Sequence, residues 1–225
     1  NCKLNTNNIT FYKEIDTIIQ NSDLIIIAVP SGFIFSVFKS KGNLLNNKTV
    51  LSAVKGVIPE NNTTPHDFFK SISPKLNYGV ISGPCHAEEV ALEKQSYLTI
   101  STNKIEIHQQ IKRIFKTKFL HISTSNDIIG TEYAAILKNI YAIVVGVGYG
   151  LGYGDNFIAV LTTSCANEMK RLLRSLDPKE RTISHPAFLG DLLVTCYSPH
   201  SRNRSLGVLI GKGYSVENAI EKMTM

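Results

Sequence analysis

Leu24-Ile-Ile-Ile-Ala-Val29, closed by Pro30, is an uninterrupted apolar run of the length of a single strand. Strands buried on both faces read as continuous runs of this kind, and they belong to parallel sheets covered by helices. Working outward, Thr49-Val-Leu-Ser-Ala-Val54 is a second run and Tyr78-Gly-Val-Ile-Ser82 a third, broken by Gly83-Pro84. Shorter strand patterns lie at 97–101 and 119–123, and helical patterns at 34–39, 65–70, 87–93 and 105–116 alternate with the strands. This alternation predicts an α/β unit with a mainly parallel sheet.

The character changes at Ser123-Thr-Ser-Asn-Asp127, a polar cluster suited to capping the start of a helix. Beyond it no strand pattern is convincing. Helical patterns run through 127–147, 156–175, 188–196, 201–211 and 216–225. Two domains are therefore expected, an α/β unit over residues 1–123 and an all-α unit over residues 124–225. The chain starts at Asn1 and stops inside a helical pattern at Met225, so it reads as a piece of a longer protein.

The net charge of +6 and the pI of about 9.1 favour anionic partners. Lys and Arg are scattered and no nucleic-acid motif is present, so a small phosphorylated ligand suits the charge better than nucleic acid. Apolar runs such as 24–29 and 140–145 are too short to span a bilayer, and no membrane insertion is expected. Cys2, Cys85, Cys165 and Cys196 form no C-x-x-C pair, and no His cluster has zinc-ligand spacing. The economical reading is free thiols in the cytoplasm and no metal.

Within Gly130-Thr-Glu-Tyr-Ala-Ala-Ile-Leu-Lys-Asn-Ile-Tyr-Ala-Ile-Val-Val145, Lys138 interrupts a helix that is apolar all round. Such a helix is normally buried, and a buried ammonium requires an anion or acceptors. Lys138 therefore either faces a cleft or snorkels to the surface. Asp191, inside the apolar run Leu189-Gly-Asp-Leu-Leu-Val-Thr-Cys196, is the obvious partner, with a helix-capping role as the alternative. His200-Ser-Arg-Asn-Arg-Ser205 opens another helix, where Ser201 as cap, free N–H groups, Arg202 and Arg204 suit an anion. Lys55-Gly56 and Gly83-Pro-Cys-His-Ala87 follow strands, at the sheet edge where open α/β folds bind ligands. Gly146-Val-Gly-Tyr-Gly-Leu-Gly-Tyr-Gly154 cannot hold G-x-G-x-x-G in any register and follows a helix, so a flexible connector is expected.

Taken together, Ala28-Val-Pro-Ser31, Val54-Lys-Gly56, Ile81-Ser-Gly-Pro84 with Ala87-Glu88, Leu137-Lys-Asn139, Gly154-Asp-Asn156, Leu189-Gly-Asp-Leu192 with Thr195-Cys196, and Ser201-Arg-Asn-Arg204 closely resemble the bacterial type of NAD(P)-dependent glycerol-3-phosphate dehydrogenase. The resemblance implies a Rossmann-like domain, a helical domain, and an active site between them. It implies that Lys138 is catalytic, and that Lys55, Gly83, Cys85, Lys138, Asp191, Ser201, Arg202 and Asn203 contact glycerol 3-phosphate or dihydroxyacetone phosphate. Phe33, Lys55, Ala87 and Arg202 would approach an NAD or NADP cofactor. A cytoplasmic homodimer supplying glycerophospholipid synthesis is implied as well.

Cys85 replaces the Ser or Thr of many relatives, and Ser164 and Phe188 stand where Arg and Gly are expected. The first strand with its G-x-G-x-x-G turn is missing from this sequence, so residues 1–225 alone are expected to be inactive. The competing readings are a related β-hydroxyacid dehydrogenase and a non-catalytic binding or dimerisation protein.

Overall fold

The apolar runs become one sheet in a computed structural model that describes residues 7–224. Cys2 lies outside the described residues. The α/β part of the chain alternates α1 (Ile15–Asn21), β1 (Leu24–Ile27), α2 (Ile34–Phe38), α3 (Gly42–Leu45), β2 (Thr49–Ser52), α4 (Pro65–Ile72), β3 (Asn77–Ser82), α5 (Ala87–Ala91), β4 (Ser96–Thr102), α6 (Ile105–Phe115) and β5 (Leu120–Ser125). The strands lie in sequence order, parallel except for the antiparallel β3–β4 pair. The mainly parallel sheet is therefore as expected. The expectation missed α1 and α3, which are only 7 and 4 residues long and carry little periodicity.

In register, Ile25 lies beside Val50 and Val50 beside Tyr78. That face packs on Ile19, Phe38, Phe68 and Phe69 of the helices. The other face places Leu51, Ile81 and Ile100 against Ile107 and Ile111 of α6. Burial on both faces does not hold for β1. Among the described residues it lies at the edge of the sheet, α6 covers the sheet over β2, β3 and β4, and Ile26 stays 45% exposed.

The helical part comprises α7 (Ile128–Gly150), α8 (Asp155–Leu176), α9 (Asp191–Tyr197), α10 (Arg202–Gly211) and α11 (Val216–Thr224). Asp127 caps α7, its carboxylate accepting the Gly130 N–H at 3.0 Å. Ala134, Tyr141, Ala142 and Val145 of α7 then pack on Ile158, Cys165 and Met169 of α8 and on Leu192 and Cys196 of α9. By length and composition α7 is long and apolar enough to cross a membrane, and 56% of its most apolar stretch is buried within the protein.

The glycine cluster is not a connector along most of its length. Gly146, Gly148 and Gly150 are inside α7, and only Gly152 and Gly154 lie in the link to α8. At Gly146 a Cβ would come within 2.2 Å of the Arg204 carbonyl oxygen of α10. At Gly207 it would meet the Ile143 carbonyl oxygen at 2.1 Å. Gly150 and Gly211 continue the same crossing, each within 2.4 Å of a facing carbonyl. These glycines let two backbones touch, which local sequence reading mistakes for a loop.

Two buried ionic networks join distant segments. Glu132 in α7 is 1% exposed; it accepts the Tyr78 hydroxyl of β3 at 2.6 Å and the His66 N–H of α4. Burial pushes its pKa up, and these donors oppose that rise. Arg181 donates to Asp127 at 2.7 Å, to the backbone carbonyls of Leu173 and Asp177, and to the Asp177 carboxylate. Burial alone would raise the Asp127 pKa, but the bonds from Arg181 and Lys179 outweigh it and hold the carboxyl below its ordinary value. Asp127 therefore contributes stability at neutral pH that is lost as pH falls through its lowered pKa. Arg181→Met is expected to cost about 1.5–3 kcal/mol, because it removes charged hydrogen bonds to Asp127 and leaves Lys179 and the Gly130 N–H as its donors. The denaturant midpoint measures this, and an unchanged midpoint would contradict it.

Candidate active site

The carboxyl ends of β2 and β3 meet α7, α9 and α10, and the residues at that junction surround a cavity of about 250 Å³. Gly83, directly after β3, has φ +132°, and a Cβ there would sit 2.5 Å from the Tyr97 carbonyl oxygen. Glycine alone turns the chain here without a clash. That turn aims the Gly83 N–H at the Asp191 carboxylate, 3.3 Å away.

Asp191 follows a wide π-helical turn, Pro186–Gly190, at the start of α9. Such turns re-aim side chains and recur at functional sites. Asp191 is 1% exposed and Lys138 7%. The Lys138 ammonium donates to Asp191 Oδ1 at 2.5 Å, while Ser82 Oγ donates to Oδ2 at 3.0 Å. The sequence reading of a buried lysine paired with this carboxylate is thus what the structure contains. The capping alternative for Asp191 is not needed, and snorkelling is ruled out by Lys138's burial.

Lys55 lies across the cavity with its ammonium 3.2 Å from the Ile81 carbonyl oxygen. Its residue surface is largely exposed, yet its charged end is enclosed. Burial of that end, followed by repulsion from Lys138, lowers the Lys55 pKa to about 8. Ser201, 4% exposed, caps α10 by accepting the Arg204 N–H at 3.3 Å. The start of this ten-residue helix, its positive end, borders the cavity through Ser201, Arg202 and Asn203. With Lys55, Lys138 and Arg202 against Asp191, the lining carries three cations and one carboxylate and is built for an anion.

All eight residues expected at the substrate line this one cavity: Lys55, Gly83, Cys85, Lys138, Asp191, Ser201, Arg202 and Asn203. Burial pushes the Cys85 thiol up, so it presents a neutral S–H. Phe33 and Ala87 do not line the cavity. Phe33 is 60% exposed on the turn after β1, and Ala87 is exposed at the start of α5. Arg204, expected to share the anion site, lies over the Tyr149 ring at 4.4 Å and does not line the cavity. Sequence reasoning quoted Asn139 and Thr195 but gave them no role. Asn139 receives the Asn203 amide at 2.9 Å and donates to the Lys55 carbonyl at 3.2 Å, tying three segments together. Thr195 donates to the Asp191 carbonyl at 2.6 Å.

The turn after β1, at the same edge of the sheet, leaves open space. No atom lies within 4 Å of where a Cβ at Gly32 would stand, and the neighbouring Phe33 ring is open. Of the residues expected to approach an NAD(P) cofactor, Lys55 and Arg202 line the cavity, while Phe33 and Ala87 lie outside it.

Comparison with known proteins agrees along most of the chain. Residues 1–108 match the family model described as NAD-dependent glycerol-3-phosphate dehydrogenase N-terminus, and residues 127–225 match the corresponding C-terminus model. The chain is 36% identical over 220 residues to a glycerol-3-phosphate dehydrogenase (NAD(P)+) of Clostridium botulinum, covering 97% of this chain and 66% of that protein. A relative of the same name from Clostridium perfringens is also 36% identical, with the same coverage of each chain. The crystal structure of glycerol-3-phosphate dehydrogenase from Coxiella burnetii superposes with a TM-score of 0.88 at 27% identity, over 95% of this chain and 66% of that one. The chain thus spans a little under two thirds of the length of these relatives.

Proposed function

This chain belongs to the NAD-dependent glycerol-3-phosphate dehydrogenase family, and from that premise we propose that the protein interconverts dihydroxyacetone phosphate and sn-glycerol 3-phosphate. The observation that carries the reading is the Lys138–Asp191 pair facing the same cavity as the start of α10. A reacting oxygen and a phosphate are thereby served by one small site. The chemistry a bound NAD(P)H supplies is a hydride for carbon 2 of the ketone.

Negative charge develops on the carbonyl oxygen as the carbon is reduced. Lys138 stabilises that charge through its ammonium and donates the proton; in the oxidative direction it accepts it. Asp191, held by Ser82 and Gly83, orients Lys138. Lys55 adds positive field from the opposite wall. Ser201, Arg202 and Asn203 anchor the phosphate, and that remote binding energy positions the carbon. On the same reading the enzyme is a cytoplasmic homodimer. The free thiols of Cys85, Cys165 and Cys196 support the compartment, and the exposed Ile140 and Val144 of α7 supply apolar surface for a partner.

The test is oxidation of NADH and NADPH by the full-length polypeptide with dihydroxyacetone phosphate or with 3-oxoacids. Turnover confined to dihydroxyacetone phosphate is expected, and a preference for 3-oxoacids would replace this reading with the β-hydroxyacid one. The Lys55 pKa of about 8 adds a signature. Above that pH the ammonium is lost, so the KM for the phosphorylated substrate is expected to rise through pH 8. A Lys55→Met variant should show a higher KM and no such rise.

A further inference from the structure

Two histidines that this reaction leaves unused face each other on the cavity wall. His86 and His200 have ring centroids 6.2 Å apart with their planes at 60°, and both line the cavity. They come from separate segments. His86 immediately precedes α5, whereas His200 immediately precedes Ser201, the cap of α10. The pair therefore sits beside the helix start already assigned to the phosphate.

The Nε2 atom of His86 is buried without a hydrogen-bond partner, an arrangement folded proteins rarely tolerate without a reason. His200 is exposed, so the pair joins an enclosed nitrogen to an accessible one. The other ionisable groups on this lining are Lys55 after β2, Cys85 after β3, Lys138 on α7, Asp191 on α9 and Arg202 on α10. Asp191 is occupied by Lys138, Ser82 and Gly83 and offers the histidines no free acceptor. The cations left on this lining are Lys55 and Arg202, with Lys138 held by Asp191, while Glu88 and Glu89 stand in the first turn of α5 behind His86. A bound dianion would accept a hydrogen bond from each protonated ring and pair with its charge.

We propose that His86 and His200 form a proton-linked clamp on the phosphate end of the substrate, so that anion binding draws protons onto the pair. This rests on the glycerol 3-phosphate reading for the natural ligand, but the clamp itself answers to any tetrahedral dianion. It makes the site bind its ligand more tightly as pH falls from 7.5 to 6. That interval lies below the Lys55 midpoint of about 8, so Lys55 supplies only a small part of the gain.

The test uses sulfate, a dianion that does not titrate in this range, alongside glycerol 3-phosphate, on the full-length chain. Ring resonances of the six histidines are followed by NMR against pH with and without each anion. Saturating sulfate should raise the midpoints of His86 and His200 and leave those of His66, His108, His121 and His185 in place. Sulfate affinity should improve roughly threefold to tenfold between pH 7.5 and 6. His86→Phe and His200→Asn should each reduce that gain, and together abolish it. Unmoved midpoints in the unmodified chain, or an unchanged pH slope in the double variant, would overturn the clamp. If sulfate moves the pair but glycerol 3-phosphate neither binds nor turns over, the clamp stands and the substrate reading falls. If glycerol 3-phosphate turns over with both midpoints fixed, the clamp alone falls. If neither anion binds, both fall.

Discussion

Lys138→Ala is expected to lower kcat by about 10²–10⁴-fold while cofactor affinity changes little, because general acid–base help of this kind is worth that much. The same change leaves Asp191 buried, with only Ser82 and Gly83 as donors. Breaking a buried pair in this way costs about 3–5 kcal/mol of stability. The two losses separate in a double variant. Adding Asp191→Asn removes the stranded charge, so stability should recover in part while the rate does not. Single-turnover measurements and chemical denaturation on the same variants check both statements. Full turnover in folded Lys138→Ala would remove this lysine from the reaction.

Gly207→Val is expected to destabilise the protein by about 3 kcal/mol, at the upper end of ordinary overpacking. A Cβ at this position lies 2.1 Å from the Ile143 carbonyl oxygen and 2.9 Å from the Val147 nitrogen. Both are backbone atoms inside α7 and neither can swing aside. The gain in helix propensity from glycine to valine is only about a few tenths of a kcal/mol and does not compensate. The functional effect follows from where α10 begins. A helix pushed off α7 carries Ser201, Arg202 and Asn203 with it, so the KM for the phosphorylated substrate should rise more than kcat falls. Gly207→Ala tests the crossing with the smallest possible side chain. A melting temperature equal to or above that of the unmodified protein would show that the helices do not touch as described.

The parts of this molecule legible in its sequence are those where one residue contradicts its surroundings. Lys138 and Asp191 are charges inside apolar runs, and each demands a partner whatever the fold. The sheet was legible because apolar runs of strand length alternate with helical patterns. Glu132 escaped notice even though it stands in the same helix as Lys138. An acid near a helix start reads as a favourable terminal charge, and its partners Tyr78 and His66 are 54 and 66 residues away. The glycines of α7 were misread for a related reason. Glycine spacing is a local signal for a turn, whereas the facing carbonyls belong to α10. His86 and His200 are ordinary when read singly. Their meaning lies in a juxtaposition across 114 residues (200 − 86) that no local pattern carries.

The Gly83 amide hydrogen has a use beyond orienting Asp191. It is held by a side chain from the helical part of the chain, although it belongs to a turn of the sheet. It can exchange with deuterium only when that grip is released. Its exchange rate is therefore a clock for how often the reaction centre comes apart, read without substrate, cofactor or mutation. A rate matching the slowest core amides would mean that sheet and helices open only by unfolding together. A faster rate would measure the breathing through which ligands come and go.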